Sequence, residues 1–314
     1  MANKKQNEMS KLDAEITNKI TELEKQRESR IYLLWLKDAS IDNDLVNTVY
    51  NDLRNKFKKE SAEKFEIILH SSGGQIDAAY NLSLLFRRYA TEEFNVIVPR
   101  WAKSAATVIA CAANKIYMTP IAELGPVDPQ ITMFNPLEER LEHFSPLDIG
   151  STLDLIRDEF KNGHEKLAMG LLNRLQFPLT LGGIKKSLDV GRNYLERLLS
   201  TGMYKNNKET AKKIAQSLVH DYSTHSFCIE IDEAKRIGLK AELLNEDDNN
   251  ILWELTLTLK KKDDILSKKK KEEIIEQIKD LPSDVLEKFI NDSKCDDKAK
   301  ESEEDGENEN IKEK

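Results

Sequence analysis

The stretch KFEIILHSSGGQIDAAYNLSLLFRRYATEEFNVIVPRWAKSAATVIACAANKIYM, residues 64–118, decides the fold. Residues 64–70, 95–99 and 115–118 are short β-branched and aromatic runs that predict strands. Between them lie two helical stretches, 76–89 and 104–113, the first opened by the paired glycines Gly73 and Gly74. Strand alternating with helix predicts a largely parallel α/β sheet with right-handed crossovers. Upstream, residues 30–36 (RIYLLWL) and a helical stretch at 44–59 extend the pattern by one βαβ unit.

Outward from this block the text changes character. Residues 8–29 are highly charged, with Leu12, Ile16, Ile20 and Leu23 at helical spacing, and predict a leading amphipathic helix for packing or oligomer contact. After Thr119, Gly125 with Pro120, Pro126, Pro129 and Pro136 predicts loop. Residues 146–218 are helical in period, with Gly182 and Gly183 dividing them into two regions. Residues 227–239 predict a turn, a short helix and a C-cap at Gly238, and residues 252–259 a last strand. A short amphipathic helix follows at 274–290, before an acidic tail too poor in apolar residues to fold. The expected organisation is an N-terminal helix at 1–29, one domain at 30–259 and a charged helical, then disordered, tail at 260–314.

Charge removes several function classes. The net charge of the 314 residues is −8, with no net basic region beyond runs such as Lys268 to Lys271, which argues against a nucleic-acid partner. Cys111, Cys228 and Cys295 are too few and scattered for a disulfide framework or a zinc site, so a reducing, cytoplasmic location is expected, with no metal and no cofactor. No apolar run suits a signal peptide or an integral membrane segment. A dinucleotide site is not expected either, since HSSGGQID lacks GxGxxG.

Two turns carry the candidate chemistry, both at the carboxyl ends of predicted strands, where open parallel sheets place their sites. In His70-Ser71-Ser72-Gly73-Gly74 the glycines let the backbone turn sharply and aim N–H groups at an oxyanion. In Trp101-Ala102-Lys103-Ser104-Ala105-Ala106-Thr107, Ser104 stands at the head of an uncharged helix. There it serves either as a helix cap or as a nucleophile whose oxyanion meets the Ala105 N–H. Neighbouring parallel strands bring the two turns side by side, which favours the second role.

Three blocks, HSSGGQIDAAYNL, AKSAATVIACAANKIYM and AELGPVDPQI, in this order and spacing resemble the serine dehydrogenase proteinase family. That family is related to signal-peptide peptidase A and more distantly to the ClpP protease and the crotonases. The resemblance covers about residues 30–245. It implies a ClpP/crotonase-like spiral of ββα units with a mostly parallel sheet, a serine peptidase chemistry and homo-oligomeric assembly. It places the nucleophile on Ser104 and the oxyanion donors on Gly73, Gly74 and Ala105.

The general base departs from the pattern. Where ClpP-like proteases carry a histidine, this chain reads Gly125-Pro126-Val127-Asp128-Pro129-Gln130, and where their acidic residue precedes a late helix, it has His225. Ser104, His225 and Asp128 therefore form a candidate triad with the acid and base positions exchanged, Asp128 orienting the imidazole. Signal-peptide peptidase A uses a lysine base, for which Lys103, Lys161, Lys166, Lys185 and Lys186 are the alternatives. His70 borders the glycine turn, while His143, His164 and His220 have no partners in sequence, and Trp35, Trp101 and Trp253 read as core.

The expected function is a serine peptidase acting on extended or unfolded peptide through a Ser104 acyl-enzyme. The alternatives are a non-catalytic peptide-binding scaffold of the same fold and a crotonase-like acyl-CoA enzyme.

Overall fold

The computed structural model describes residues 2–57, 61–128, 131–135, 140–144, 146–174 and 181–278. The elements run α1 (Ala2–Arg27), β1 (Arg30–Leu36), α2 (Asn43–Phe57), β2 (Ala62–Ser71), α3 (Ile76–Arg87), β3 (Ala90–Val98), β4 (Trp101–Ala102), α4 (Ala105–Cys111) and β5 (Lys115–Met118). They continue as β6 (Glu123–Leu124), β7 (Ile131–Asn135), β8 (Arg140–Phe144), α5 (Pro146–Lys161), α6 (Glu165–Arg174), α7 (Leu181–Thr201), α8 (Lys208–His220), α9 (Ile231–Arg236), β9 (Ala241–Leu243) and α10 (Glu246–Ile278). Contacts divide the chain into one unit of Met1–Thr132 with His143–Leu259 and another of Met133–Glu142 with Lys260–Lys314. The first unit holds the sheet and the candidate site. In the second, the paired strands β7 and β8 run through the Met133–Glu142 segment.

The main sheet has seven strands in the order β6-β4-β2-β3-β5-β9, with β1 pairing β2, and every ladder is parallel. This is the α/β class with a mostly parallel sheet expected from the sequence. Strand β2 reads as a continuous apolar run because it is covered on both faces. Phe65, Ile67 and Leu69 join a core with Ala78, Leu82 and Phe86 of α3 and the wholly buried helix α4. Ile68 packs on the other face with Ile31 and Ile97, against Leu23 of α1 and Leu252 and Leu255 of α10.

Strand β2 changes neighbours at its carboxyl end. It pairs β3 as far as Ile68↔Ile97, and then the bend at Pro99-Arg100 brings the chain back so that Ser71 pairs Ala102 of β4. The Lys103 N–H donates to the Ser71 carbonyl at 3.1 Å. The glycine turn after β2 and the serine turn after β4 are thereby neighbours.

Several expectations are corrected. Residues 252–259 are not a strand but part of α10, because Leu252, Leu255 and Leu259 are buried at helical spacing against α1 and the sheet. The strand that does pair beside β5 is β9, earlier in the chain at Ala241–Leu243. Residues 119–135 are not all loop: β6 pairs β4, and β7 forms a two-stranded sheet with β8. Gly182 and Gly183 do not divide two helices but lie in the first turn of α7. In α1, Ile16, Ile20 and Leu23 are buried within the chain itself, so that stripe is used for packing. Trp253 is in neither strand nor core, standing 46% exposed on α10. The predicted helix at 274–290 coincides with α10 through Ile278, and residues 279–290 and the acidic tail lie outside the described residues. No helix among the described residues is long and apolar enough to cross a membrane.

Candidate active site

Ser104 sits at the junction of β4 and α4 with φ 50° and ψ −118°, a conformation that side-chain-bearing residues rarely adopt. Its hydroxyl makes no capping bond to the helix, so the cap role is not the one it plays. Strain of this kind costs about 1–3 kcal/mol and persists only where surrounding structure enforces it. The enforcement is visible. Lys103 N–H is held by Ser71, the Ala106 N–H donates to Lys103 O at 2.8 Å, and the Thr107 N–H donates to Ser104 O at 2.9 Å. The buried Thr107 hydroxyl lies 2.7 Å from Ala102 O and 2.8 Å from Gly125 O, and accepts the Gly125 N–H at 3.1 Å.

The glycine turn packs directly onto this elbow. Gly73 has φ 121°, and a Cβ placed there would lie 2.9 Å from Ser104 Cβ, 3.0 Å from Lys103 O and 3.4 Å from Ala105 N. Both its dihedral and its lack of a side chain are therefore required. Gly74, at φ 147°, is equally constrained: a Cβ there would collide with the Ile41 backbone. The Gly73 carbonyl accepts from Ile41 N–H at 2.9 Å, and its N–H donates to Ser71 Oγ at 3.0 Å. The structure thus brings Gly73, Ser104 and the Ala105 amide into one small volume, with the Gly73 amide already engaged by a serine hydroxyl.

His225 and Asp128 meet across 97 positions of sequence, the imidazole Nδ1 hydrogen-bonded to Asp128 Oδ1. Asp128 is buried, while the ring is 30% exposed. A carboxylate only accepts, so Nδ1 is the donor, and in the neutral ring Nε2 is left as the acceptor. The segment bearing His225 is fixed to the sheet edge by the reciprocal bonds Leu124 N–H to Ile229 O at 2.9 Å and Ile229 N–H to Leu124 O at 3.1 Å. Among the described residues no hydrogen bond joins the Ser104 hydroxyl to the His225 ring. Catalytic hydrogen bonds commonly tighten only once substrate is bound.

Lys103 Nζ is engaged in an ion pair with Glu123 at 2.7 Å. Lys161 is exposed and paired with Asp158, and Lys166 is exposed on α6; the side chains of Lys185 and Lys186 lie outside the described residues. His164 is exposed beside Glu159. Burial, aided by the Arg192 charge, pushes the His220 imidazole below its usual range at the end of α8. The side chain of His143 lies outside the described residues.

Two features escaped the sequence. His70 is stacked between Trp35 and Trp101, with ring centroids 4.0 and 5.1 Å away. The alternation of β1 and β2 gave half of this, since Trp35 and His70 are register partners, but β4 is too short to be seen in sequence. The other is a buried ion cluster of Arg27, Glu66 and Asp248 on the face covered by α1 and α10. Its one legible signal is Glu66, a carboxylate inside the apolar run of β2.

A sharp strand-to-helix serine turn, a glycine turn packed on it and a carboxylate-bonded histidine thus stand at the carboxyl side of a parallel sheet. Residues 61–144, which contain β2, both turns and Asp128, match the family model of the ClpP-like SDH-type serine proteinase, the family to which the three sequence blocks point. Among curated proteins the chain is similar to two uncharacterized proteins of Methanocaldococcus jannaschii. MJ0137 is 29% identical over 191 residues, 60% of this chain and 57% of that protein. MJ1495 is 27% identical over 175 residues, 56% of this chain and 51% of that protein. The chain thus spans about half the length of the curated relatives it matches. Among solved structures, a serine-to-alanine mutant of the 1510-N membrane-bound stomatin-specific protease aligns at 16% identity and TM-score 0.41, covering 71% of this chain and 82% of that one. A ClpP1 mutant from Listeria monocytogenes aligns at 15% identity and TM-score 0.37, covering 70% and 94%.

Proposed function

We propose that this chain is a serine peptidase whose catalytic unit lies within residues 30–259. Ser104 Oγ attacks the scissile carbonyl carbon while its proton passes to His225 Nε2, and Asp128 holds the imidazole in the required tautomer. The oxyanion is met by the Ala105 amide and the Gly73-Gly74 turn. The amine leaves with the proton from His225, and water, deprotonated by the same ring, releases the acyl group. The chemistry needs no cofactor. The observation that carries the reading is the strained, uncapped Ser104 pressed against Gly73, a conformation with no use in capping a helix.

The substrate proposed is an extended or unfolded peptide, the form that pairs most readily with a strand edge and backbone amides. Homo-oligomeric assembly and a cytoplasmic location complete the reading. A fluorophosphonate probe read by intact mass tests it: the wild-type chain gains one adduct, Ser104→Ala gains none, and His225→Ala labels at least about a thousandfold more slowly. A wild-type chain inert to excess probe would leave the non-catalytic scaffold as the better reading.

A further inference from the structure

Lys103 lies beside the candidate nucleophile, and its surroundings are unusually complete for a lysine. Its side chain passes over Gly125, where a Cβ would come within 2.8 Å of Lys103 Cδ and 3.4 Å of Ser104 N. Gly125 is thus glycine for space. Beyond it, the ammonium reaches Glu123 Oε2 on β6 at 2.7 Å and the Phe227 carbonyl at 3.5 Å. Glu123 is itself a hub. Its other oxygen takes Arg100 at 3.0 Å, and the Cys228 thiol hydrogen-bonds to it. Burial raises the Glu123 carboxyl, but the hydrogen bonds from Cys228 and Lys103 and the charges of Lys103 and Arg100 outweigh it and hold the group ionised below its usual range. Burial and the same carboxylate push the Cys228 thiol up to about 11, which keeps it protonated and donating.

These contacts join four pieces of chain: the serine elbow, the start of β4, the edge strand β6 and the segment following His225. We propose that Lys103 is a positioning residue: through Glu123 and the Phe227 carbonyl it holds the 225–229 segment, and with it the His225 ring, in fixed relation to Ser104. The inference rests on the peptidase reading for its catalytic meaning, but the brace is a physical object with its own signature. The ion pair is mostly withdrawn from water, and its lysine is one bond sequence from the reacting serine, so slack in it becomes slack between nucleophile and base.

Full-length wild type, Ser104→Ala, Lys103→Met, Lys103→Arg and Glu123→Gln are compared by fluorophosphonate labelling rate and by amide hydrogen exchange across 222–230. Lys103→Met is expected to slow labelling by about 100-fold, the cost of a misplacement near 1 Å. It should also speed exchange in that segment by at least about tenfold while exchange in β2 and β3 is unchanged. Lys103→Arg, which keeps the ion pair but cannot act as a base, should recover most of both, and Glu123→Gln should slow labelling. Wild-type exchange in Lys103→Met overturns the inference. So does Lys103→Arg as slow as Lys103→Met together with Glu123→Gln faster than wild type at neutral pH, because that pattern makes Lys103 the proton acceptor. A wild-type chain that does not label sinks the peptidase reading instead, and exchange alone then decides whether the brace exists.

Discussion

The sheet carries buried charge in two places, and they are built in opposite ways. On the face under α1 and α10, Arg27 bonds Glu66 at 2.6 Å and pairs with Asp248, with side-chain exposures of 6%, 0% and 2%. Ser29 adds a bond to Glu66 at 2.8 Å, Asn245 one to Asp248 at 2.9 Å, and the Tyr117 ring lies 4.3 Å from the guanidinium. At the carboxyl edge, Asp128 is as deeply buried, but its partner His225 is 30% exposed and its ring keeps one nitrogen for other work. The first cluster is closed, tying two helices from opposite ends of the chain to β2. The second is open on one side, which is what proton transfer requires and structural pairing does not.

Disrupting the open cluster should produce the largest effect on labelling and leave the fold alone. Asp128→Asn, which preserves shape but misorients the imidazole, should lower the labelling rate of Ser104 by about 10⁴-fold, with a melting temperature close to wild type. A comparable loss of stability would erase the contrast. The closed cluster should respond the other way. Arg27→Met strands two buried carboxylates and should destabilise the chain by about 3–5 kcal/mol in urea unfolding, with Arg27→Met/Glu66→Leu recovering part of it. Labelling per folded molecule should be unchanged.

Acid sharpens the comparison further. Although burial alone would raise the Glu66 carboxyl, the hydrogen bond and charge of Arg27, with Lys64 and Ser29, hold it below the usual carboxylate range. A group depressed in the folded state contributes stability that is present in full above its unfolded pKa and is lost as pH falls through the folded value. Glu66→Gln should therefore flatten the fall in stability at acid pH, measured as unfolding free energy against pH, and leave the slope near neutrality as in wild type. The smallest effect belongs to the elbow. Ser104→Gly relieves a positive φ and should raise stability by about 1 kcal/mol while abolishing labelling, the expected sign for strain maintained at a working site. Unchanged or lowered stability would mean that the elbow stores none.

The same two regions mark what the sequence displays. The β2-α3-β3-α4-β5 succession is legible because each strand is a run of β-branched residues and each helix buries a stripe, as Ala78, Ala79, Leu82 and Phe86 do on α3. Ser104 and Gly73 are legible for the same reason, as punctuation between regular elements. The closed cluster is not, because its members are separated by 39 and 221 positions and only packing of α1 and α10 on one face brings them together. Helix α10 misleads locally. Leu255-Thr256-Leu257-Thr258-Leu259 alternates like a strand, yet Thr256 and Thr258 turn their hydroxyls back to the carbonyls of Leu252 and Glu254, and the buried leucines follow the helical period. A better signal stood just upstream, where Asn245 accepts the Asp248 N–H as a helix cap. The two-residue strands β4 and β6 have no pattern to read, since partners alone define them.

The exchange of neighbours along β2 makes the site a matter of counting. Side chains alternate in direction along an extended chain, so the number of residues between Val98 and Ala102 determines which way the chain faces when it rejoins Ser71. One residue added or removed at Pro99-Arg100 reverses that parity, sending the elbow to the wrong side of the sheet without disturbing a single core strand. The loop is short for the same reason a key has a fixed tooth spacing: its length is the information, and its side chains are secondary to it.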